Sequence, residues 1–557
     1  MADLERDDGH GGLRPNCGIC GSSMEIAERF VLLLGNADST AFSRRIGPNI
    51  FPDYGQRPRG KSSIFLCRNR AVASVLSQLR PRLLDDYLDH LWVVAAWRTP
   101  WRHAPPFRLE ETAVIPDFSI FDGLGISRMR LLPPEVLQIV HGHSSTSLVW
   151  RYSAVSELTQ RLPAALSDQL LSIPLCMVLA WNRGGQPVTT ETVHRLPIIR
   201  LTIDSWGIKQ VERLSERPGF KRWRTDSLVF VVLDQSHFEG VTAHFKFGLL
   251  RLSLPKTCHG LETWDTPTPP DMERCFFYPA NITSSTQFRT IDLSQTTGIT
   301  FFFCRGEIYA VHAHTRVAPC AQSTYQRLSR RRQRSVVWVY VPISKKDPIA
   351  ALGTRSSGST CLLFRMKLGG DVPVGLVSSE QAKDLLLSKP PPGTIIYNTL
   401  ELQRVSVLGA YTTERDDGSP ISPFAHPFIG DAPFPNACFS LAPLKGVSRV
   451  GVFNNRQTGF CMGILLEYDN GAQRSLGQCR LDVDPVEYYA KPARICFRRQ
   501  SYVGPRRTSV SLRATIVEST GRCGHSNDEQ GWTCFAMRGE LEFWFSAEET
   551  MLTAIDK

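Results

Sequence analysis

The chain reads Gly298-Ile299-Thr300-Phe301-Phe302-Phe303-Cys304 and, two residues later, Glu307-Ile308-Tyr309-Ala310-Val311-His312. Aromatic and β-branched residues dominate both runs, and such residues favour strands. The connection is Arg305-Gly306, and a two-residue connection that contains glycine is typical of a tight hairpin turn. The stretch therefore predicts two antiparallel strands joined by a short turn.

A second hairpin is predicted near the end of the chain, where 460–468 and 472–479 flank Asp469-Asn470-Gly471. Asn-Gly is a strong hairpin signal because both turn positions need a positive φ. Further apolar or alternating runs lie at 228–233, 244–254, 336–341, 449–453, 493–497, 510–517 and 541–545. With frequent turn signals between them, they predict a large, mostly antiparallel β region over 195–550, sandwich- or barrel-like, in one or two units.

A helical segment interrupts this β-rich pattern. Pro133 and Pro134 suit the first positions of a helix, and Glu135 faces its positive end. Val136, Leu137, Ile139 and Val140 follow as an apolar face. Two more leucine-rich segments, at 147–158 and 162–179, have helical spacing. The sequence thus predicts an α+β multidomain protein in which a small helical module at 129–180 is joined to the β region.

This Leu-Pro-Pro-Glu-Val-Leu start, followed by a Trp-Arg segment with Val and Leu, resembles the F-box of large fungal F-box-like proteins. The resemblance covers roughly 129–175, under a tenth of the chain. The residues carried over by position are Leu132, Pro133, Glu135, Val136, Leu137, Ile139, Leu148, Trp150, Val155 and Leu158. Two departures are a polar stretch at 141–146 and the absence of a Cys-Lys-Trp-like third helix after Val155.

The resemblance implies a function. In that family the helices dock on a Skp-type adaptor, and the rest of the chain recruits a protein substrate to a cullin-RING ubiquitin ligase. We therefore expect a noncatalytic substrate receptor whose partners are a Skp-type adaptor and an unknown protein substrate. The alternative is a β-rich ligand- or glycan-binding protein in which the helical segment is only structural, because both predicted hairpins also look like those of carbohydrate-binding modules.

Length and composition limit the number of domains and the cellular compartments that we expect for this chain. The chain has 557 residues, 42% of them hydrophobic, which is enough for two to four folded domains. It contains neither a run of about 18 apolar residues nor an apolar signal-peptide core near its start. The 15 cysteines are spread thinly, which favours thiols in a reducing compartment. We expect a cytoplasmic or nuclear protein with no membrane partner.

The first part of the chain, 1–110, is predicted to be a mixed region. Cys17 and Cys20 have the Cys-x-x-Cys spacing of a zinc knuckle, but no second pair follows at the matching distance. Structural zinc at these two cysteines is one interpretation, and a locally ordered turn is the other. Helical periodicity follows over 71–92, and a Trp- and Pro-rich stretch over 97–106 is expected to be a linker or extended segment.

The chain is strongly basic, and its positive charge comes mainly from arginine. The formal net charge is +11, with 51 arginines against 13 lysines. The densest run, 327–334, directly precedes an apolar strand pattern. Such a run can bind nucleic acid, but it has neither interleaved aromatic residues nor a surrounding DNA-binding motif. A solvated loop or helix end is the favoured interpretation, and no nucleic-acid partner is expected.

The sequence offers few candidate motifs for catalysis. The sequence has no Gly-x-Gly-x-x-Gly, phosphate-binding loop, Gly-x-Ser-x-Gly or His-Glu-x-x-His pattern. His312 and His314 share one strand face and would form a metal site if a carboxylate joined them, although packing is the more common role of such a pair. A second Cys/His cluster, Cys523, His525 and Cys534, lies in a polar loop. We expect no enzymatic activity and, apart from the zinc interpretation, no cofactor.

Overall fold

A computed structural model of the chain describes two compact units. Unit 1 comprises Met1–Gly219 and Trp223–Pro269, and unit 2 comprises Phe220–Arg222 and Pro270–Lys557. Among the residues described, no helix combines the length and the apolar character needed to cross a membrane. The described residues are 30–35, 42–43, 62–67, 90, 92–102, 104, 107, 109, 118–123, 125–144, 147, 149–150, 153, 169–190, 196–258, 260–278, 286–356, 360–376, 383–388, 391–399, 404–412, 422–425, 432–503, 508–518 and 531–556.

Unit 1 combines short strands with short helical segments. Two α-helices of its described residues are α1 (Phe118–Gly123) and α2 (Pro134–Ser144), with a 3-10 turn, Ser127–Leu131, between them. Residues 90 and 92–96 are also helical. The strands are β1 (Phe30–Gly35), β2 (Phe42–Ser43), β3 (Ser62–Cys67), β4 (Leu171–Pro174), β5 (Val178–Asn182), β6 (Val188–Thr189), β7 (Ile198–Asp204), β8 (Gly207–Leu214), β9 (Val229–Asp234), β10 (Thr242–Lys246), β11 (Leu249–Ser253) and β12 (Thr263–Trp264).

The strands of unit 1 pair in three groups. The orders are β2-β1-β3, β11-β10-β4 and β12-β9-β7-β8-β5-β6. A core that involves strands of the second and third groups contains fully buried side chains such as Leu175, Ile199, Val231 and Leu252. Because the predicted run 228–233 corresponds to β9, whose Val229 to Val232 are all buried, its continuous apolar character reflects a strand covered on both faces.

Two predictions for unit 1 are wrong in part. The helix predicted over 162–179 is contradicted from Leu171 onward, where β4, a 3-10 turn (Leu175–Met177) and β5 follow. The run 244–254 is two strands, β10 and β11, because Phe247 and Gly248 both take a positive φ and reverse the chain. In the first case the strand pairs with a neighbour that is distant in sequence, and in the second case a turn divides the run into two strands. The local spacing of apolar residues reveals neither arrangement.

The Trp- and Pro-rich stretch is also not a linker. Trp97 and Trp101 are buried, and Trp101 forms a parallel bridge with Leu252 of β11. The amide of Leu252 donates to the Pro100 carbonyl at 2.8 Å. The stretch therefore belongs to the core of unit 1. The helical periodicity predicted over 71–92 lies outside the described residues except for 90 and 92, which are helical.

Unit 2 is richer in strands, and its described residues include two single-turn helices, α3 (Gln322–Gln326) and α4 (Arg330–Gln333). Its strands are β13 (Cys275–Tyr278), β14 (Gln287–Asp292), β15 (Gly298–Cys304), β16 (Glu307–His314), β17 (Val337–Pro342), β18 (Ile349–Ser356), β19 (Thr360–Met366), β20 (Gly370–Val374), β21 (Lys383–Ser388), β22 (Thr394–Asn398), β23 (Leu408–Tyr411), β24 (Cys438–Pro443), β25 (Val447–Asn454), β26 (Cys461–Tyr468), β27 (Gln473–Gly477), β28 (Val486–Ala490), β29 (Pro492–Val503), β30 (Thr508–Glu518), β31 (Trp532–Ala536), β32 (Glu540–Phe545) and β33 (Thr550–Ile555).

These strands form several antiparallel groups. The orders are β13-β23-β22-β14, β16-β15-β17, β20-β19-β18-β21, β24-β32-β33, β27-β26-β25-β28 and β30-β29-β31. The first predicted hairpin is confirmed as β15 and β16, with Arg305 and Gly306 both at positive φ. The second is confirmed as β26 and β27, where the Gly471 amide donates to the Tyr468 carbonyl at 2.9 Å.

The central strand β15 is buried on both faces. Phe301 and Phe303 point into a large core built from most strands of unit 2. Phe302 points the other way, into a smaller cluster with Leu328 and Trp338. Successive strand residues alternate between faces, so one three-phenylalanine run fills two cores. The described residues are thus mostly strand, in several antiparallel sheets with few helices, as the sequence predicts.

Candidate functional site

The helical segment around α2 is held together by aromatic packing. Trp150 is buried and lies edge-on to Phe121 of α1, with ring centroids 5.4 Å apart, and to His141 of α2 at 4.9 Å. Its indole N–H donates to the Ser144 hydroxyl at 2.9 Å. Leu137 is also buried on this side of α2. The segment therefore has its own small core, which fixes the direction of α2.

The opposite side of the segment presents apolar side chains to solvent. The exposed fractions are 78% for Leu131, 61% for Ile139 and 37% for Val136. Val136 and Ile139 are three residues apart on α2 and therefore lie on one helix face. Isolated exposed apolar residues are common on protein surfaces, but three on one short helical segment indicate a contact surface. We call Leu131, Val136 and Ile139 the apolar face of α2.

The predicted adaptor-binding residues separate into distinct environments. Pro133, Glu135, Val136 and Ile139 are exposed, and Leu132 is half-buried. In contrast, Leu137 and Trp150 are buried by the chain itself, so in this conformation they support α2 and do not lie on its surface. The remaining three predicted residues lie outside the described residues: Leu148, Val155 and Leu158. Leu131, which is 78% exposed, was not among the predicted residues.

His312 serves as a structural residue at the end of β16. Its Nδ1 lies 2.9 Å from the Thr324 hydroxyl of α3, and its Nε2 lies 3.1 Å from the Ala318 carbonyl. The carbonyl can only accept, so Nε2 carries the proton and Nδ1 accepts from Thr324. Both ring nitrogens are therefore engaged, and the ring attaches the loop before α3 to the sheet.

His314 is arranged in the same way. Its Nδ1 lies 2.6 Å from the Pro319 carbonyl, and its Nε2 lies 2.7 Å from the Thr300 hydroxyl of β15. The ring is buried and stands edge-on to that of His312, with centroids 4.8 Å apart. Since each nitrogen of both rings has a protein partner, the geometry matches the packing interpretation and not a metal pair.

The stability of unit 2 is expected to depend on the neutral form of His314. Burial lowers the pKa of His314 below its usual 6.5, although the Pro319 carbonyl opposes the shift. The unfolded chain binds a proton near pH 6.5, whereas the folded chain resists it, so stability is complete above that pH and declines as the pH falls toward the lowered value. We expect the melting temperature to fall between pH 7.5 and 5.0, and to fall less in His314→Gln. An equal fall in the variant would assign the effect to other groups.

The structure describes only some of the cysteines for which a site was predicted. Cys17 and Cys20, with the structural zinc proposed for them, lie outside the described residues, as do Cys523 and His525. Within the described part of the chain, no group of three or more His, Cys, Asp or Glu side chains is arranged to hold a metal ion. Cys534 lies opposite Cys496 of β29. The two are far apart in sequence, so no spacing signal could have paired them.

The arginine run forms a compact, ordered turn. Ser329 caps α4 through the Arg332 amide, and the Gln333 side-chain amide donates to the Leu328 carbonyl at 2.8 Å. The Arg332 guanidinium lies 4.1 Å from the centre of the Tyr309 ring. Arg330 and other arginines of the run are exposed. This matches the predicted helix end beside a strand.

No protein-family model matches this chain, and a search of curated proteins also gives no match. The function of the chain is therefore inferred from its own residues. Of the clusters described above, the apolar face of α2 combines an ordered backbone, a rigid aromatic support and exposed apolar side chains.

Proposed function

We propose that the chain is an F-box-like substrate receptor that docks on a Skp-type adaptor through the apolar face of α2. The observation that carries this proposal is the division of α2 into two sides. Leu137 is buried, whereas Val136 and Ile139 of the same helix, and Leu131 just before it, are exposed. A helix held rigidly by its own core loses little conformational entropy on binding, and this favours association.

The resemblance of 129–175 to the F-box supplies the identity of the partner in this proposal. Apolar residues at the centre of an interface supply most of its binding energy, and the polar residues around them exclude water. Glu135 is exposed next to the apolar face and would form part of such a rim. The β-rich remainder of the chain would then hold a protein substrate near the ligase, so that the chain acts by proximity and without catalysis, in the cytoplasm or nucleus.

The proposal predicts that charge on the apolar face abolishes docking. In a Val136→Asp, Ile139→Asp double variant, two carboxylates would be desolvated against the adaptor, and we expect about a 100-fold or greater loss of affinity. The measurement is calorimetric titration of the full chain with a purified Skp-type adaptor. Both side chains are exposed, so the variant is expected to keep its fold.

The matched control is Gln138→Asp, which adds a carboxylate at an exposed position between the two substituted residues. It should bind within a few-fold of the parent chain. Substitution of Leu137 would not be informative, because its side chain is buried and the variant would lose the helix support. If the intact chain does not bind the adaptor, the proposal fails, and α2 becomes a structural element of a β-rich ligand- or glycan-binding protein.

A further inference from the structure

Two cysteines of unit 2 face each other across a pair of strands. In the antiparallel pairing of β29 with β31, Cys496 lies directly opposite Cys534. Their Sγ atoms are 3.1 Å apart and are not joined by a disulfide. Cys496 is fully buried, whereas Cys534 is exposed. One thiol is therefore accessible to reagents in solvent, and the second lies behind it within reach.

The strand geometry suits a covalent bond between them. Directly opposite residues of an antiparallel pair have Cα atoms about 4.5–5.5 Å apart, which lies within the range found for disulfides. The sulfur atoms need to approach by roughly 1 Å to reach bonding distance. β31 pairs with β29 at one end of the order β30-β29-β31, and an edge strand can make such a small shift more easily than a central one.

Two arginines lie on the same face of β29 as the buried cysteine. Ile495 and Phe497 point into the core of unit 2, so Arg494 and Arg498 share the opposite face of β29 with Cys496. The Arg498 guanidinium lies 5.4 Å from the centre of the Trp532 ring on the neighbouring strand. Arg494 is exposed, and because guanidinium groups attract carboxylates, it would draw a small anionic disulfide reagent toward this part of β29.

We propose that Cys496 and Cys534 form a reversible intrachain disulfide by exchange with a low-molecular-weight anionic disulfide of the oxidised glutathione type. Cys534 loses its proton, its thiolate attacks one sulfur of the reagent, the reagent S–S bond breaks, and one reagent thiolate leaves and takes up a proton. Cys496 then loses its proton, its thiolate attacks the Cys534 sulfur, and the mixed disulfide breaks as the second reagent thiolate leaves and is protonated. Both cysteines are oxidised by one electron each, and the reagent disulfide is reduced to two thiols.

The consequence for the chain is a covalent link between the edge strand β31 and its neighbour β29. Such a link limits the unfolded chain over the segment between the two cysteines, so the oxidised form is expected to melt at a higher temperature. Reducing compartments keep most disulfides open, and a bond that forms only under oxidising conditions would report the redox state. This inference does not depend on adaptor binding.

The test is to equilibrate the full chain with reduced and oxidised glutathione at several ratios, trap the remaining thiols, and map the peptides by mass spectrometry without reduction. We expect a peptide pair joined through Cys496 and Cys534, which disappears on return to reduced glutathione. A melting temperature raised by several degrees should accompany the link. The mapping needs only the unsubstituted chain, so it remains decisive even if a cysteine variant misfolds.

Two cysteine variants test whether the linked peptide depends specifically on Cys534. Cys534→Ser should abolish the linked peptide, whereas Cys258→Ser should retain it, because the half-buried Cys258 thiol donates to the nearby Gly260 carbonyl in unit 1. The proposal is overturned if Cys534 accumulates as a stable glutathione adduct while Cys496 stays reduced. It is equally overturned if both thiols remain reduced at the most oxidising ratio.

Discussion

Replacing Arg213 by methionine is expected to lower the free energy of unfolding of unit 1 by about 3 kcal/mol or more, because several buried carbonyl groups lose their donor. Arg213 lies on β8 and is buried. Its guanidinium donates to the carbonyls of Val178 at 3.0 Å, Leu196 at 3.3 Å and Cys176, and to the Gln235 side chain at 3.2 Å.

Burying the Arg213 charge has an electrostatic cost. Desolvation lowers the pKa of Arg213, although the group remains charged at neutral pH. The side chain thus joins the turn before β5 to the neighbouring strands, and lysine cannot replace it because an ammonium group lacks the planar set of five donors. We expect Arg213→Lys to recover less than half of the lost stability.

Urea unfolding of the full chain, followed by tryptophan fluorescence, would measure the effect of Arg213→Met. The control is Arg200→Met on the adjacent strand β7, where Arg200 pairs with Glu212 at 2.9 Å in a partly exposed position. A pair of this kind contributes about 0–1 kcal/mol. Equal losses in the two variants would show that the carbonyl contacts of Arg213 contribute little.

Replacing Phe301 by alanine is expected to lower the free energy of unfolding of unit 2 by about 3–5 kcal/mol. The side chain is fully buried in the large core, with its ring centroid 5.8 Å from that of Phe364 and 6.4 Å from that of Phe303. β15 is the central strand of its group, so the cavity would lie where neighbouring side chains have little freedom to collapse into it.

Denaturant unfolding with hydrogen exchange at the amides of β15 would measure this loss locally. Phe276→Ala is the matched control, because Phe276 lies on β13 with half of its side chain exposed. We expect a loss below about 1.5 kcal/mol there, since little cavity forms. Phe301→Leu should fall between the two. A loss at Phe301 no larger than at Phe276 would contradict the two-core description of β15.

Hairpins were predictable because their signal is local. Arg305, Gly306 and Gly471 take a positive φ in the two turns, and glycine in a short polar connection signals this locally. Asn470 does not take the positive φ that the Asn-Gly pattern predicts. The start of α2 was predictable for the same reason, since Pro134 marks the first position of the helix. The β-rich character of 195–550 followed from aromatic and β-branched runs.

Other features had no local signal. Leucine spacing around Leu171 predicted a helix, yet β4 forms because its backbone pairs with β10, whose nearest partner residue is about seventy positions later in the chain. Trp101 appeared to lie in a linker, and it is buried because Leu252 approaches it from far along the sequence. Of the predicted adaptor-binding residues, pattern alone could not distinguish the buried Leu137 from the exposed Ile139.

By itself, the sequence determined where short turns and the start of α2 occur and which runs are apolar enough to be strands, because these depend on φ preferences and side-chain type over a few residues. The tertiary structure alone decided which strands pair, which side of α2 is covered by Trp150, and that Cys496 meets Cys534. These outcomes depend on contacts between residues far apart in the chain, whose cost in chain entropy is offset only when the whole core forms.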